Sequence, residues 1–200
     1  MAMQQNELTW DNFLKIKTIG RDDSHSDRYR YPYEPTPYSV LERLADSRYI
    51  AKKNTLLDYG TGKGRVCFYL SYQTGCKSIG VECDERIYLG AVENQKTAVS
   101  GRRIAFVRES AEKYQVPKEV DRCYLFNPFS VEILQRVLVR ILRSYYENPR
   151  EIQLFFYYPS NEYVGYLVAH EYLTFVDEID CRDIFEGNNA REKILIFNVV

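Results

Sequence analysis

Long apolar runs are missing from this 200-residue sequence. The longest patches, such as LFFYY at 154–158, fall far short of the roughly 20 residues that a membrane helix requires. The first stretch, MAMQQNELTWDNFLKIKTIG, lacks a basic segment followed by an apolar one, so no leader is indicated and the cytoplasm is the expected compartment. An excess of one charge is also lacking. Lys plus Arg number 27 and Asp plus Glu 28, a formal net charge of −1 that excludes a global positive field drawing the chain onto nucleic acid or anionic lipid. The five cysteines (67, 76, 83, 123 and 181) leave one unpaired in any intrachain scheme and form no C-x-x-C pair. Neither His25 nor His170 has close partners at zinc spacing, so neither a disulfide framework nor a metal centre is expected. Cys67, Cys83 and Cys123 read as small buried fillers. Tandem repeats and low-complexity tracts are absent as well.

What is present suits a folded domain. With 45% apolar, 28% charged and 14% aromatic residues, a chain of this length can bury about 70% of its unfolded surface, enough for a layered fold. Residues 1–35 are polar and turn-rich, with DDSHSD at 22–27 and YRYPYEP at 29–35, and read as an irregular arm before a single domain at 36–200. Thr36 and Pro37 are suited to start a helix bearing Val40, Leu41 and Leu44. From there strands and helices alternate. Strands are expected at 55–59, 77–83, 103–108, 121–127 and 151–158, and helices follow Gly64, Asp84, Pro128 and Pro159. Such alternation over some 110 residues predicts an α/β fold, a mostly parallel sheet with helices on both faces. Two last strands, 171–180 and 193–200, are separated by polar residues around Gly187 and suit a hairpin. On the long helix 130–147, Arg136, Arg140 and Arg143 fall opposite the apolar stripe and should face solvent.

The sharpest local signal is DYGTGKG at 58–64, a carboxylate at a strand end followed by three glycines at alternate positions before a helix. Such a turn lets backbone approach a ligand closely. It fails G-x-G-x-x-G because residue 65 is Arg, and it fails the phosphate-loop pattern because Leu57 and Gly64 stand where a Gly and a Ser or Thr belong.

DYGTGKG matches in full the D/E-x-G-x-G-x-G first motif of the class I S-adenosylmethionine-dependent methyltransferases, and the sequence resembles that family over residues 36–200. The resemblance implies a Rossmann-like methyltransferase fold, a seven-stranded sheet ordered 3-2-1-4-5-7-6 with strand seven antiparallel. It implies S-adenosyl-L-methionine as cofactor, held by Asp58, Gly60, Thr61, Gly62 and Gly64. Glu82, 24 residues beyond Asp58 at the end of the next strand, stands where a carboxylate accepts both ribose hydroxyls. Cys83 or Asp84 would flank the adenine, and Ser110 or its neighbour Glu109 would receive the adenine amino hydrogen. Lys63 and Arg65 are candidates for countering the cofactor's carboxylate.

Asn127-Pro128-Phe129 looks like a shortened form of the N/D-P-P-Y/F signature of enzymes that methylate planar amino groups. In one register Phe129 fills the aromatic position and one proline is missing; in the other, Ser130 fills it and stacking is lost. An amide oxygen and a proline-fixed carbonyl suit an amine's two hydrogens, and Phe129 suits stacking. Arg28, Arg30, Tyr29, Tyr31 and Tyr38 of the arm and first helix are candidate lid contacts, against a reading in which they only pack the arm. The acceptor is left open among a small molecule, an RNA and a protein side chain; independent binding of duplex DNA and membrane association are not expected. The alternative activity class is a noncatalytic module that binds the cofactor or a nucleoside.

Overall fold

The computed structural model describes residues 2–22 and 31–200. The expectations placed on residues 23–30, including His25, Arg28, Tyr29 and Arg30, lie outside the described residues.

Seven strands form one sheet: β1 (Thr55–Tyr59), β2 (Lys77–Glu82), β3 (Ile104–Arg108), β4 (Arg122–Leu125), β5 (Gln153–Tyr157), β6 (Leu173–Asp180) and β7 (Lys193–Val199). The order is β3-β2-β1-β4-β5-β7-β6, the one that the family resemblance implies. β1 to β5 run parallel, while β7 pairs antiparallel with both β5 and β6. Every residue of β1, β4 and β5 is buried, which explains why these strands read as continuous apolar runs rather than alternating ones.

Successive strand residues point to opposite faces, so the sheet carries two cores. Leu56, Tyr124, Phe155 and Ile196 face the cluster covered by α2 (Tyr38–Asp46) and α3 (Arg65–Thr74). Their neighbours Leu57, Leu125, Leu154 and Phe197 face the cluster covered by α5 (Val131–Glu147) and α6 (Asn161–Val168). α4 (Glu85–Thr97) packs beside β3, begun by an Asp84 side chain that accepts the Ile87 N–H at 2.9 Å. Gly75, at φ +76, ends α3 in the left-handed conformation that suits glycine. Residues 109–121 supply turns and no helix. No helix among the described residues is long and apolar enough to cross a membrane.

Three sequence expectations need correcting. Residues 2–14 form a helix, α1 (Ala2–Leu14), not irregular chain. It docks through Trp10, whose ring lies edge-on to Tyr69 at 4.9 Å, and through buried Asp11 and Leu14. Thr36 does not cap α2: its hydroxyl meets the Tyr124 hydroxyl at 3.1 Å, and the Tyr38 N–H donates instead to Glu7 Oε1 of α1 at 3.0 Å. Cys83 is exposed at the end of β2, whereas Cys67 and Cys123 are buried; no disulfide joins the five thiols.

Candidate cofactor and acceptor cleft

The carboxyl ends of β1, β2 and β4 open on a single cleft, the place where parallel α/β sheets bind ligands. β1 delivers Asp58 one residue before its end. The chain then turns through Gly60 (φ +71), Gly62 (φ +59) and Gly64 (φ +90) before α3 begins. Three left-handed positions at alternate residues account for the glycine spacing. The turn is held by Gly60 and Thr61 N–H groups donating to the Val81 carbonyl at 2.9 and 3.1 Å, and by Thr61 Oγ1 donating to Asp58 Oδ2 at 2.6 Å.

Asp58 and Glu82 both line the cleft, 2% and 9% exposed. Glu82 accepts the Gly62 N–H at 3.0 Å and the Asp84 N–H at 2.9 Å, so it bridges the glycine turn to the start of α4. Neither carboxylate has a cationic partner among the described residues. Burial pushes the Asp58 carboxyl up to about 7, against the Thr61 and Cys67 hydrogen bonds that favour its charged form. Burial likewise raises Glu82, opposed by the N–H groups of Asp84 and Gly62. Two desolvated carboxylates in one cleft without a counter-cation are costly unless a cationic or hydroxyl-rich ligand completes them.

The predicted site residues divide. Asp58, Gly60, Thr61, Glu82, Cys83, Pro128 and Phe129 line the cleft, and so do Glu109 and Ala111 on either side of Ser110. Gly62, Gly64, Ser110 and Asn127 are not among the lining residues. A β-carbon at Gly64 would meet Phe106 at 2.5 Å and Phe68 at 2.8 Å, so that glycine answers to core packing. At Gly62 it would meet the Tyr33 ring at 2.2 Å, and at Gly60 the Pro128 ring at 2.7 Å. These two positions therefore make room for neighbouring side chains, and of the two only Gly60 lines the cleft.

Asn127 sits at φ +41, a left-handed conformation that Asn tolerates better than most residues. Its side-chain oxygen is buried with no hydrogen-bond partner. The Pro128 carbonyl accepts the Tyr31 N–H at 3.2 Å. Phe129, 4% exposed, packs in the core beneath the cleft, and its carbonyl accepts the Tyr163 hydroxyl at 2.6 Å.

Residues 31–36 cross the cleft, and the sequence reading missed which of them matter. Tyr33, half-buried, lays its ring on Gly62 while its hydroxyl donates to the Thr18 carbonyl at 2.6 Å; its backbone pairs with Asp22 at 2.8 and 3.0 Å. Tyr31 lines the cleft, whereas Tyr38 is buried with its hydroxyl on Asp11 Oδ1 at 2.6 Å. Arg65, 2% exposed, ion-pairs with Glu7 and Asp11 of α1, donates to Thr18 Oγ1 at 2.7 Å and to the Thr36 carbonyl at 3.1 Å, and lies 4.4 Å from the Tyr38 ring centre. Lys63 Nζ stands 5.2 Å from the Tyr33 ring centre and does not line the cleft. An acidic pair four residues apart in α1, opposite an Arg one residue past the last glycine, was the available signal for this clamp.

No protein-family model matches the chain. Over 73 residues it is 33% identical to a protein-lysine N-methyltransferase of Saccharolobus islandicus, a match covering 36% of this chain and 45% of that relative, so less than half of the relative's length is spanned. Among solved structures it is similar to an RNA methyltransferase from Salinibacter ruber in complex with S-adenosyl-L-homocysteine, at TM-score 0.55 and 19% identity over 83% of this chain and 94% of that one. It is similar also to human methyltransferase 10 domain containing protein, at TM-score 0.63 and 13% identity over 98% and 95%. The strand order, the reversed β7 and these neighbours together make the fold of this chain that of the class I methyltransferases.

Proposed function

We propose that this chain is an S-adenosylmethionine-dependent methyltransferase acting on a nitrogen acceptor. The observation that carries this reading is the Asp58–Glu82 pair: two buried carboxylates without a cation among the described residues, joined by the glycine turn at the carboxyl edge of the sheet. When bound, the cofactor supplies an electrophilic methyl group on a positively charged sulfur.

The protein's own groups fit that ligand. Glu82 offers a carboxylate to a ribose diol, and Asp58 supplies negative charge to the cofactor's ammonium. Cys83, Asp84 and Ile87 line the cleft beside Glu82 and would hold the adenine, with Glu109 as the lining group that would accept its amino hydrogen. The Pro128 carbonyl, now taken by the Tyr31 N–H, is the acceptor at the cleft for an incoming amine's hydrogen, and the adjoining Asn127 Oδ1, just outside the lining, would take a second once that contact opens. Residues 31–36 act as a cover over both halves of the cleft. Rate enhancement then rests on holding donor and acceptor in line and excluding water.

Calorimetry with S-adenosylmethionine tests the first half, and transfer of labelled methyl from it into fractionated extract, followed by mass identification of the product, tests the second. The expected result is binding, turnover and loss of turnover in Asn127→Gly, which keeps the left-handed backbone while removing the amide. Binding without turnover onto any fraction would instead support the noncatalytic module, a reading favoured by the Tyr31 N–H already seated on the Pro128 carbonyl.

A further inference from the structure

Arg65 carries a donor that its neighbours leave unused. A guanidinium has five N–H bonds. Here the Nε hydrogen goes to Thr18 Oγ1, and those of Nη1 go to Glu7 and to the Thr36 carbonyl. Nη2 is buried and has no hydrogen-bond partner among the described residues. Asp11, the second carboxylate of this network, stands 3.8 Å from Nη2 and is filled from elsewhere. Its Oδ1 takes the Thr18 and Tyr38 hydroxyls, both at 2.6 Å, and its Oδ2 takes the Thr18 and Ile19 N–H groups at 2.6 and 3.3 Å. Three bonds and the Tyr38 ring fix the plane of the guanidinium, so Nη2 cannot turn to another acceptor without breaking them. A buried charged donor of this kind is costly unless a ligand completes it.

The surroundings say which ligand that is. Arg65 lines the cleft together with Asp58, Gly60 and Thr61, yet its ion pairs are with Glu7 and Asp11 and not with Asp58. A buried cation and a buried carboxylate that open on one cleft without meeting suit a ligand carrying both charges, an amino-acid zwitterion. The glycine turn has little left to give such a ligand's carboxylate. Its Gly60 and Thr61 N–H groups are held by the Val81 carbonyl, that of Gly62 by Glu82 and that of Gly64 by the Thr61 carbonyl. Lys63, the other cation of the motif, lies over the Tyr33 ring and outside the lining.

Resting on the methyltransferase reading above, we infer that Arg65 Nη2, rather than the backbone of the glycine turn, seats the carboxylate of the cofactor's methionine end while Asp58 takes its ammonium. The cleft then selects its ligand by a pair of opposite charges set on two elements, β1 and α3. Glu7, Thr18 and Thr36 hold the other guanidinium hydrogens and so fix the direction in which Nη2 points.

Calorimetry on the full chain compares S-adenosylmethionine with its decarboxylated analogue, which keeps the nucleoside, the sulfonium and the amine and lacks only the carboxylate. The parent should bind S-adenosylmethionine at least about tenfold more tightly, the scale of one charge-assisted hydrogen bond. Arg65→Lys keeps the charge and loses the fork, and should cut that preference below about threefold by weakening S-adenosylmethionine alone; Lys63→Gln should leave the preference intact. Because Arg65 also ties α1 to the fold, a measurement on the parent stands beside the variant. In nitrogen-15 spectra of the arginine side chains, S-adenosylmethionine should shift the Arg65 signals and slow exchange of its Nη hydrogens, and the analogue should not. Equal affinity for the two ligands, a preference that survives Arg65→Lys or falls in Lys63→Gln, or Arg65 signals indifferent to the carboxylate would overturn this inference alone. A parent that binds neither ligand sinks the methyltransferase reading with it.

Discussion

Asp58 shows how a single buried carboxyl links acidity to both stability and ligand binding. Its ordinary value near 3.8 is lifted to about 7 by burial, so between these limits the empty folded chain holds a proton that the unfolded chain has released. By linkage, the stability contributed by this group is greatest below about pH 4, declines as pH rises towards 7 and is level above it. Asp58→Asn should remove that slope and melt higher than the parent at pH 8, while binding S-adenosylmethionine poorly; an unchanged melting profile would contradict it. A cationic ligand favours the charged carboxylate, so cofactor affinity should increase from pH 6 to pH 8 and binding should release protons, readable by calorimetry in buffers of different ionisation enthalpy. Glu82→Ala should weaken cofactor binding by about 1.5 to 3 kcal/mol, the range for removing a charged hydrogen-bond acceptor. Both residues were legible in the sequence because motif spacing fixes them to strand ends. Asn127 was legible as a residue but its condition was not: the burial of its partnerless oxygen is set by tertiary packing, which no local pattern encodes.

At the level of elements, the least expected feature is the way α1, α2 and α3 are tied through Arg65. The apolar stripe of α2 and the glycine stop of α3 were readable from periodicity. α1 was not, because its docking face sets Glu7 and Asp11 among Trp10 and Leu14, and the charged anchors interrupt the hydrophobic period. Removing one partner of such a network strands the others. Arg65→Met should therefore destabilise the fold by about 3 to 5 kcal/mol in urea titrations, more than Arg65→Lys, which keeps the charge and loses the fork. The glycine turn and the 31–36 segment form a second coupled unit. At Gly62 a β-carbon would lie 2.2 Å from the Tyr33 ring on a backbone at φ +59, so Gly62→Ala should displace that ring and loosen cofactor binding. Combining it with Tyr33→Ala should restore part of the loss, a non-additivity that separates collision from backbone strain.

For the molecule as a whole, the sheet grades from a sealed centre to open edges. β1, β4 and β5 are buried throughout, whereas β6 is exposed along most of its length, with a bulge between Phe175 and Asp177, and β3 is exposed at Ala105 and Arg108. Amide exchange should accordingly be slowest in β1, β4 and β5 and fastest in β6; uniform protection across the sheet would contradict this. The global order was legible through resemblance, since alternation alone gives a parallel sheet without ranking its strands, while the hairpin of β6 and β7 followed from a short polar connection. The contact between the Tyr31 N–H and the Pro128 carbonyl joins the two ends of this picture. The chain's own N-terminal residues occupy the position that an incoming hydrogen donor would take, so they compete with it from within the same molecule. Occupancy by an outside donor is then discounted by the fraction of time that inner donor stays in place, and shortening the segment would tighten apparent affinity without adding a single new contact.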